Sequence, residues 1–163
     1  MDPKLNLFDR IRAWSDACKL TDALAEFGVV VEECGELDDA VTSKNDAGIK
    51  DGHGDVVVTL IVLDYIKNGG KLEEAPYQPF TEGDISFTSV LGKIAEGLRK
   101  PKKADQVRRG CRILLREVQR RCYNEHDHLF VRDCLEPVVA ELERRLAEGY
   151  THVNGTVVKK GDA

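Results

Sequence analysis

The stretch "DGHGDVVVTLIVLDYI", residues 51 to 66, constrains this chain more than any other. After Asp55 it is apolar on nearly every side, and only Thr59 interrupts the run from Val56 to Leu63. A helix of that kind lies inside a protein, wrapped by other elements. The run is far too short to span a bilayer. Asp51 and Asp55 stand four residues apart and share one helical face, which Val58 and Val62 continue. Aspartates on a buried helix cannot simply be left there, because a desolvated, unpaired carboxylate is very costly. They call for basic partners or a metal ion.

Helical periodicity also dominates the rest of the chain. It predicts helices over about Lys4 to Lys19, from Thr21 or Asp22 to Ser43, and from Ala47 to Asn68. Three more cover about Phe87 to Arg99, Ala104 to Tyr123 and Cys134 to Glu148. "NGG" supplies a glycine stop to the third helix, and "KLEEAPYQPFTEGD" (71 to 84) reads as an irregular connection. Pro137 fits the first turns of the last helix, where Asp133 and Glu136 form a candidate capping pair. The tail "YTHVNGTVVK" differs in kind, with β-rich arms around Asn154-Gly155, a favoured hairpin turn. The expectation is one all-α domain over residues 1–163, a helical bundle with a small C-terminal β-hairpin at 150–160. Residues 1–70 carry the acidic helices and 84–149 the additional ones.

Net charge is −5, which argues against wholesale attraction to nucleic acid or an anionic membrane. "MDPKLNLFDR" has no apolar signal core, and the five cysteines fall singly, without a Cys-x-x-Cys pair. Zinc and disulfide frameworks are therefore weak readings. Reduced, buried thiols and a cytoplasmic compartment are expected.

"VEECGELDDA", residues 31 to 40, places three glutamates and two aspartates between Glu32 and Asp39. On the second helix these acids oppose an apolar face of Phe27, Val30, Cys34, Leu37 and Val41, as on any amphipathic helix. The aspartates of the third helix shift the balance. Basic residues are scarce in both helices: Lys44 and Lys50 lie near helix ends, and His53 points elsewhere on the wheel. Antiparallel pairing of the helices would add Glu32, Glu33 and Glu36 to Asp51 and Asp55, and a divalent ion resolves the repulsion. Oxygen-only ligands suit Mg²⁺ or Mn²⁺, which keep waters and accept substrate phosphates.

Glu32-Glu33-x-x-Glu36, a short connection and then "KDGHGDVVVTL" resemble the metal-binding signature of MazG-like all-α nucleoside triphosphate pyrophosphohydrolases. "IRAWSDACKL" is similar to the family's first helix, "VLGKIAEGLRK" to a segment of phage-type members, and "CLEPVVAELERRLAEGYTHVNGTVVKK" to their C-terminal helix and hairpin. The resemblance covers most of the chain. It implies Mg²⁺-dependent hydrolysis of (deoxy)nucleoside triphosphates to monophosphate and pyrophosphate by a bundle that forms homodimers or homotetramers. Glu33, Glu36 and Asp55 would be metal ligands, and Glu32 a ligand or the group orienting the attacking water. Many members have a glutamate at the position of Gly52, so Asp51 must substitute here as a ligand. Phage-type members carry a lysine where this chain has Val29. A catalytically impaired helical nucleotide-binding or protein-interaction module is the alternative, and Gly52 is the main point in its favour.

Other features keep two readings each. Residues 99 to 121 hold ten Lys or Arg against Asp105 and Glu117. They form either a nucleic-acid surface or a solvated helix pairing with acidic neighbours, and no aromatic stacking pattern supports the first. Glu125 and His128 make a single Glu-x-x-His, a unit that di-iron bundles use twice. Trp14 stacks on a base or fills the core. Lys50, Arg145 and Lys159 are phosphate contacts by the resemblance, or plain surface charges. The apolarity of the third helix also points to a homo-oligomer that covers it.

Overall fold

The computed structural model describes residues 6–70, 72, 85–153 and 156–159. Six α-helices make up nearly all of it, as an all-α helical bundle. They are α1 (Leu7–Ala17), α2 (Ala23–Thr42), α3 (Asp46–Asn68), α4 (Phe87–Arg99), α5 (Asp105–Asn124) and α6 (Glu136–Ala147). β1 (Tyr150–Val153) and β2 (Thr156–Lys159) pair antiparallel, with Val153 opposite Thr156. The expected turn at Asn154-Gly155 lies outside the described residues, as does the 71–84 connection except for Leu72.

Side-chain caps fix the starts of the first three helices. Asn6 accepts from the Asp9 N–H, Asp22 from Leu24 and Ala25, and Asn45 from Gly48. Gly69 ends α3 at φ 73°, the left-handed conformation that glycine takes most readily.

α3 is the central post. Val56, Val57, Leu60, Ile61, Val62 and Leu63 have no exposed surface. α1, α2, α5 and α6 all pack on it, so one chain covers this helix without a partner. The apolarity of α3 therefore supplies no argument for an oligomer. Val41, placed on the apolar face of α2 by the sequence, is instead exposed near the helix end.

The last helix starts differently from the expectation. Phe130–Leu135 forms a π-helical turn, and α6 proper begins at Glu136 with Pro137 in its first turn. Asp133 caps backwards: its carboxylate accepts the Leu129 N–H at 2.9 Å instead of capping α6 through Glu136.

The basic segment is largely engaged within the chain. Arg108 reaches Asp64, Arg120 and Arg121 reach Glu117, and Lys100 and Lys103 reach Glu96. Arg121 also lies over the Phe87 ring, 4.3 Å from its centroid. Among the described residues, no helix is long and apolar enough to cross a membrane.

Candidate functional site

α2 and α3 form an αα-hairpin joined by residues 43–45. Gly52 sets how closely they approach. A Cβ there would stand 3.2 Å from the Leu37 Cα and from its side chain, so a larger side chain would push the helices apart. The position serves packing, and the neighbouring Asp51 carries the carboxylate.

The hairpin gathers its acids at one cavity of about 340 Å³. α2 contributes Glu26, Glu32, Glu33 and Glu36, and α3 contributes Asp51 and Asp55. Trp14 of α1 and Arg145 of α6 line the same space, with Leu20, Val29 and Leu142 as apolar wall. Glu36, Asp51 and Asp55 also border an adjoining hollow of about 600 Å³ beside the α2–α3 turn. Volumes of this order suit a small-molecule ligand.

The electrostatics are those of an uncompensated anion cluster. Among the described residues, no Lys or Arg forms an ion pair with Glu32, Glu33, Glu36, Asp51 or Asp55. Burial, then Glu36, Glu32 and Asp51, push the Glu33 carboxyl up to about 7. Asp55 rises further, to about 8, through burial and then the charges of Glu33, Asp51 and Glu36, against a smaller opposing pull from Arg145. Holding two such groups ionised at neutral pH needs added positive charge. A divalent ion bound by oxygen ligands would supply it, and carboxylate oxygens are the donor type that Mg²⁺ or Mn²⁺ takes.

Trp14 fills the core, as one of its sequence readings had it, being 5% exposed, and it also borders the cavity. Arg145 reaches the cavity while its guanidinium pairs with Glu141 at 2.7 Å. Lys50 and Lys159 are placed elsewhere. The Lys50 ammonium sits 2.7 Å from Asp46, and Lys159 lies 5.7 Å from the Tyr150 ring centroid on its own hairpin. Neither belongs to the cavity wall, because the helix register turns Lys50 away from Asp51 and Asp55 and the hairpin holds Lys159 against β1.

Glu26 was not legible as a site residue. It is 9% exposed, and burial followed by Glu33 raises its carboxyl to about 7. The available signal was its spacing of two turns before Glu33 on the same face. Val29 faces the cavity and presents methyl groups to it. The Glu125–His128 pair is split, with Glu125 on Arg120 and His128 on Asp46.

Comparisons of the chain with family models, curated proteins and solved structures find no match.

Proposed function

We propose that this chain is a Mg²⁺-dependent hydrolase converting nucleoside triphosphates to monophosphate and pyrophosphate, in the manner of the MazG-like enzymes its motifs resemble. One observation carries the reading: five carboxylates with no Lys or Arg ion pair among the described residues line, from two helices, a cavity that also holds an aromatic ring and an arginine. Glu32, Glu36 and Asp51 are exposed and Glu33 and Asp55 half-buried, so what favours a cation partner is the partial burial and mutual repulsion that raise Glu33 and Asp55 above ordinary carboxyls.

Mg²⁺ bound there would neutralise phosphate oxygens and acidify an attached water. Glu33, Glu36, Asp55 and Asp51 would hold the ion. Glu32, exposed at the cavity mouth, accepts the proton from the attacking water. The water oxygen bonds to the α-phosphorus as the bond to the α,β-bridging oxygen breaks, and pyrophosphate leaves with that oxygen. Arg145 offsets triphosphate charge, and Trp14 with Leu20, Val29 and Leu142 receives the base.

A cytoplasmic nucleotide-pool enzyme acting as a homodimer or homotetramer belongs to the same reading. The face for assembly is the outer stripe of α2, where Leu24 and Val31 are 62% and 44% exposed and a Cβ on Gly28 or Gly35 would meet nothing within 4 Å among the described residues. Nucleic acid is not a partner in this account.

The test is a panel of ribo- and deoxynucleoside triphosphates with Mg²⁺, assayed separately for pyrophosphate and for single phosphate. Pyrophosphate release that Glu36→Gln abolishes, with helix content unchanged, is the expected result. Nucleotide binding without release would support the non-catalytic module instead.

A further inference from the structure

Opposite the acid cavity, α3 carries a second group of metal-ligating residues that nucleotide hydrolysis does not use. His53, His128 and Cys134 are 0%, 6% and 1% exposed. One ring nitrogen of each histidine and the Cys134 sulfur lie within 4.8 Å of one another. They come from α3, from the turn after α5 and from the π-helical turn, so no short spacing in the sequence announces them.

The hydrogen bonds define the free donors. His53 Nδ1 lies 2.7 Å from the Ile49 carbonyl, which can only accept, so that nitrogen carries the proton. His53 Nε2 is left with a lone pair and no hydrogen-bond partner in the interior. His128 Nε2 lies 2.9 Å from the Asp46 carboxylate and donates to it. His128 Nδ1 is then the second buried lone pair without a partner. Two orphaned imidazole nitrogens beside one thiol need an explanation, since buried polar atoms are ordinarily satisfied.

The backbone brings the three segments together. Gly54 follows His53, and a Cβ on it would stand 2.5 Å from the Cys134 carbonyl oxygen. Only glycine allows the π-helical turn this close to α3. Asp127, at φ 53°, bends the chain in the left-handed region between His126 and His128. π-turns of this kind recur at functional sites.

We infer that His53 Nε2, His128 Nδ1 and Cys134 Sγ form a buried Zn²⁺ site that staples the α5–α6 connection to α3. Two imidazoles and a thiolate select a borderline-soft ion and not Mg²⁺. Zinc at its usual bond lengths needs donors about 3.3–3.6 Å apart, so donors within 4.8 Å of one another close up on binding. The Cys134 thiol proton leaves to solvent as the sulfur–zinc bond forms. Cys122, with its sulfur 3.5 Å from that of Cys134, can donate to the thiolate, and Asp46 orients His128 from behind. His126, whose ring centroid lies 5.4 Å from that of His53, flanks the group.

The test strips the full chain with a chelator and titrates it with Zn²⁺ and with Co²⁺. One equivalent of Zn²⁺ should bind and raise the melting temperature, and excess Mg²⁺ should not displace it. The Co²⁺ form should show tetrahedral visible bands with a near-ultraviolet thiolate charge-transfer band. Cys134→Ser should lose that band while Cys111→Ser, an equally buried control, keeps it. Asp46→Ala should weaken zinc about 10–100-fold. The Glu33→Gln, Glu36→Gln double variant should still bind zinc, which separates this site from the acid cavity. A wild-type cobalt spectrum without the thiolate band, or zinc binding lost in the double variant and kept in Cys134→Ser, overturns the proposal.

Discussion

Near the C-terminal end of α3, Asp64 has no exposed surface, yet its carboxylate is held by Asn68 Nδ2 at 2.8 Å, the Leu72 N–H at 2.9 Å and Arg108 Nε at 3.3 Å. Two and a half turns earlier, Asp55 faces Glu33, Glu36 and Asp51 and has no ion pair among the described residues. The first arrangement ties α3 to α5 and to the segment after the helix. The second leaves charge uncompensated where a cavity opens. Glu117 on α5 repeats the first pattern: burial alone would raise its carboxyl, but Arg120 and Arg121 hold it below the ordinary value. The chain can therefore satisfy a buried acid where it serves structure. That it does not do so at Asp55, Glu33 and Glu26 argues that those carboxylates await a ligand.

The largest effect expected from this contrast is at Asp64. Asp64→Ala should cost about 3 kcal/mol of stability in urea unfolding, because it strands Arg108 and the Leu72 N–H. A loss below about 1 kcal/mol would remove the structural half of the comparison. Asp55→Asn should do the opposite in metal-free protein near neutral pH. Removing a carboxyl disfavoured first by burial and then by Glu33, Asp51 and Glu36 should raise the melting temperature, by about 2–4 °C per kcal/mol gained, while any stabilisation by Mg²⁺ should disappear. If Asp55→Asn destabilises as Asp64→Ala does, the two acids are alike and the distinction fails.

A third outcome concerns pH. Glu33 and Asp55 have folded-state values of about 7 and about 8, against ordinary values of 4.5 and 3.8. The folded state thus binds more protons, and these groups favour folding fully only below their unfolded values. Their contribution should fall as pH rises from about 4 and be lost above about 8, giving metal-free protein a declining stability that saturating Mg²⁺ flattens. Thermal melts across that range, with and without Mg²⁺, read the difference directly. A metal-free profile that rises over the same window would contradict the uncompensated cluster. The smallest effects should follow Lys50→Ala and Lys159→Ala, since neither ammonium reaches the cavity. Michaelis constants close to wild type are expected in both.

The helical plan was legible because α3 is apolar all round and the other helices carry plain amphipathic periods. α4 matches its predicted span, and the ends of α2 and α3 differ from theirs by one or two residues. The π-helical turn was not legible, since it depends on Gly54 admitting the Cys134 backbone, a contact between segments far apart in sequence. The meeting of Glu32, Glu33 and Glu36 with Asp51 and Asp55 at one cavity could be read from wheel positions. Glu26 escaped because its burial comes from tertiary packing around the α2 face and not from its neighbours in sequence. Lys50, a phosphate contact by the resemblance alone, is turned by the helix toward Asp46.

The most direct measurement of the central claim is a calorimetric titration of the chain with Mg²⁺ at about pH 7.5, repeated in two buffers of different ionisation heat. Protonated carboxyls on Glu33 and Asp55 must lose their protons when a divalent ion takes their place. The account predicts saturable binding whose apparent enthalpy differs between the buffers, and loss of that difference in the Glu33→Gln, Asp55→Asn double variant. Absence of saturable Mg²⁺ binding, or binding of equal enthalpy in both buffers, would contradict it.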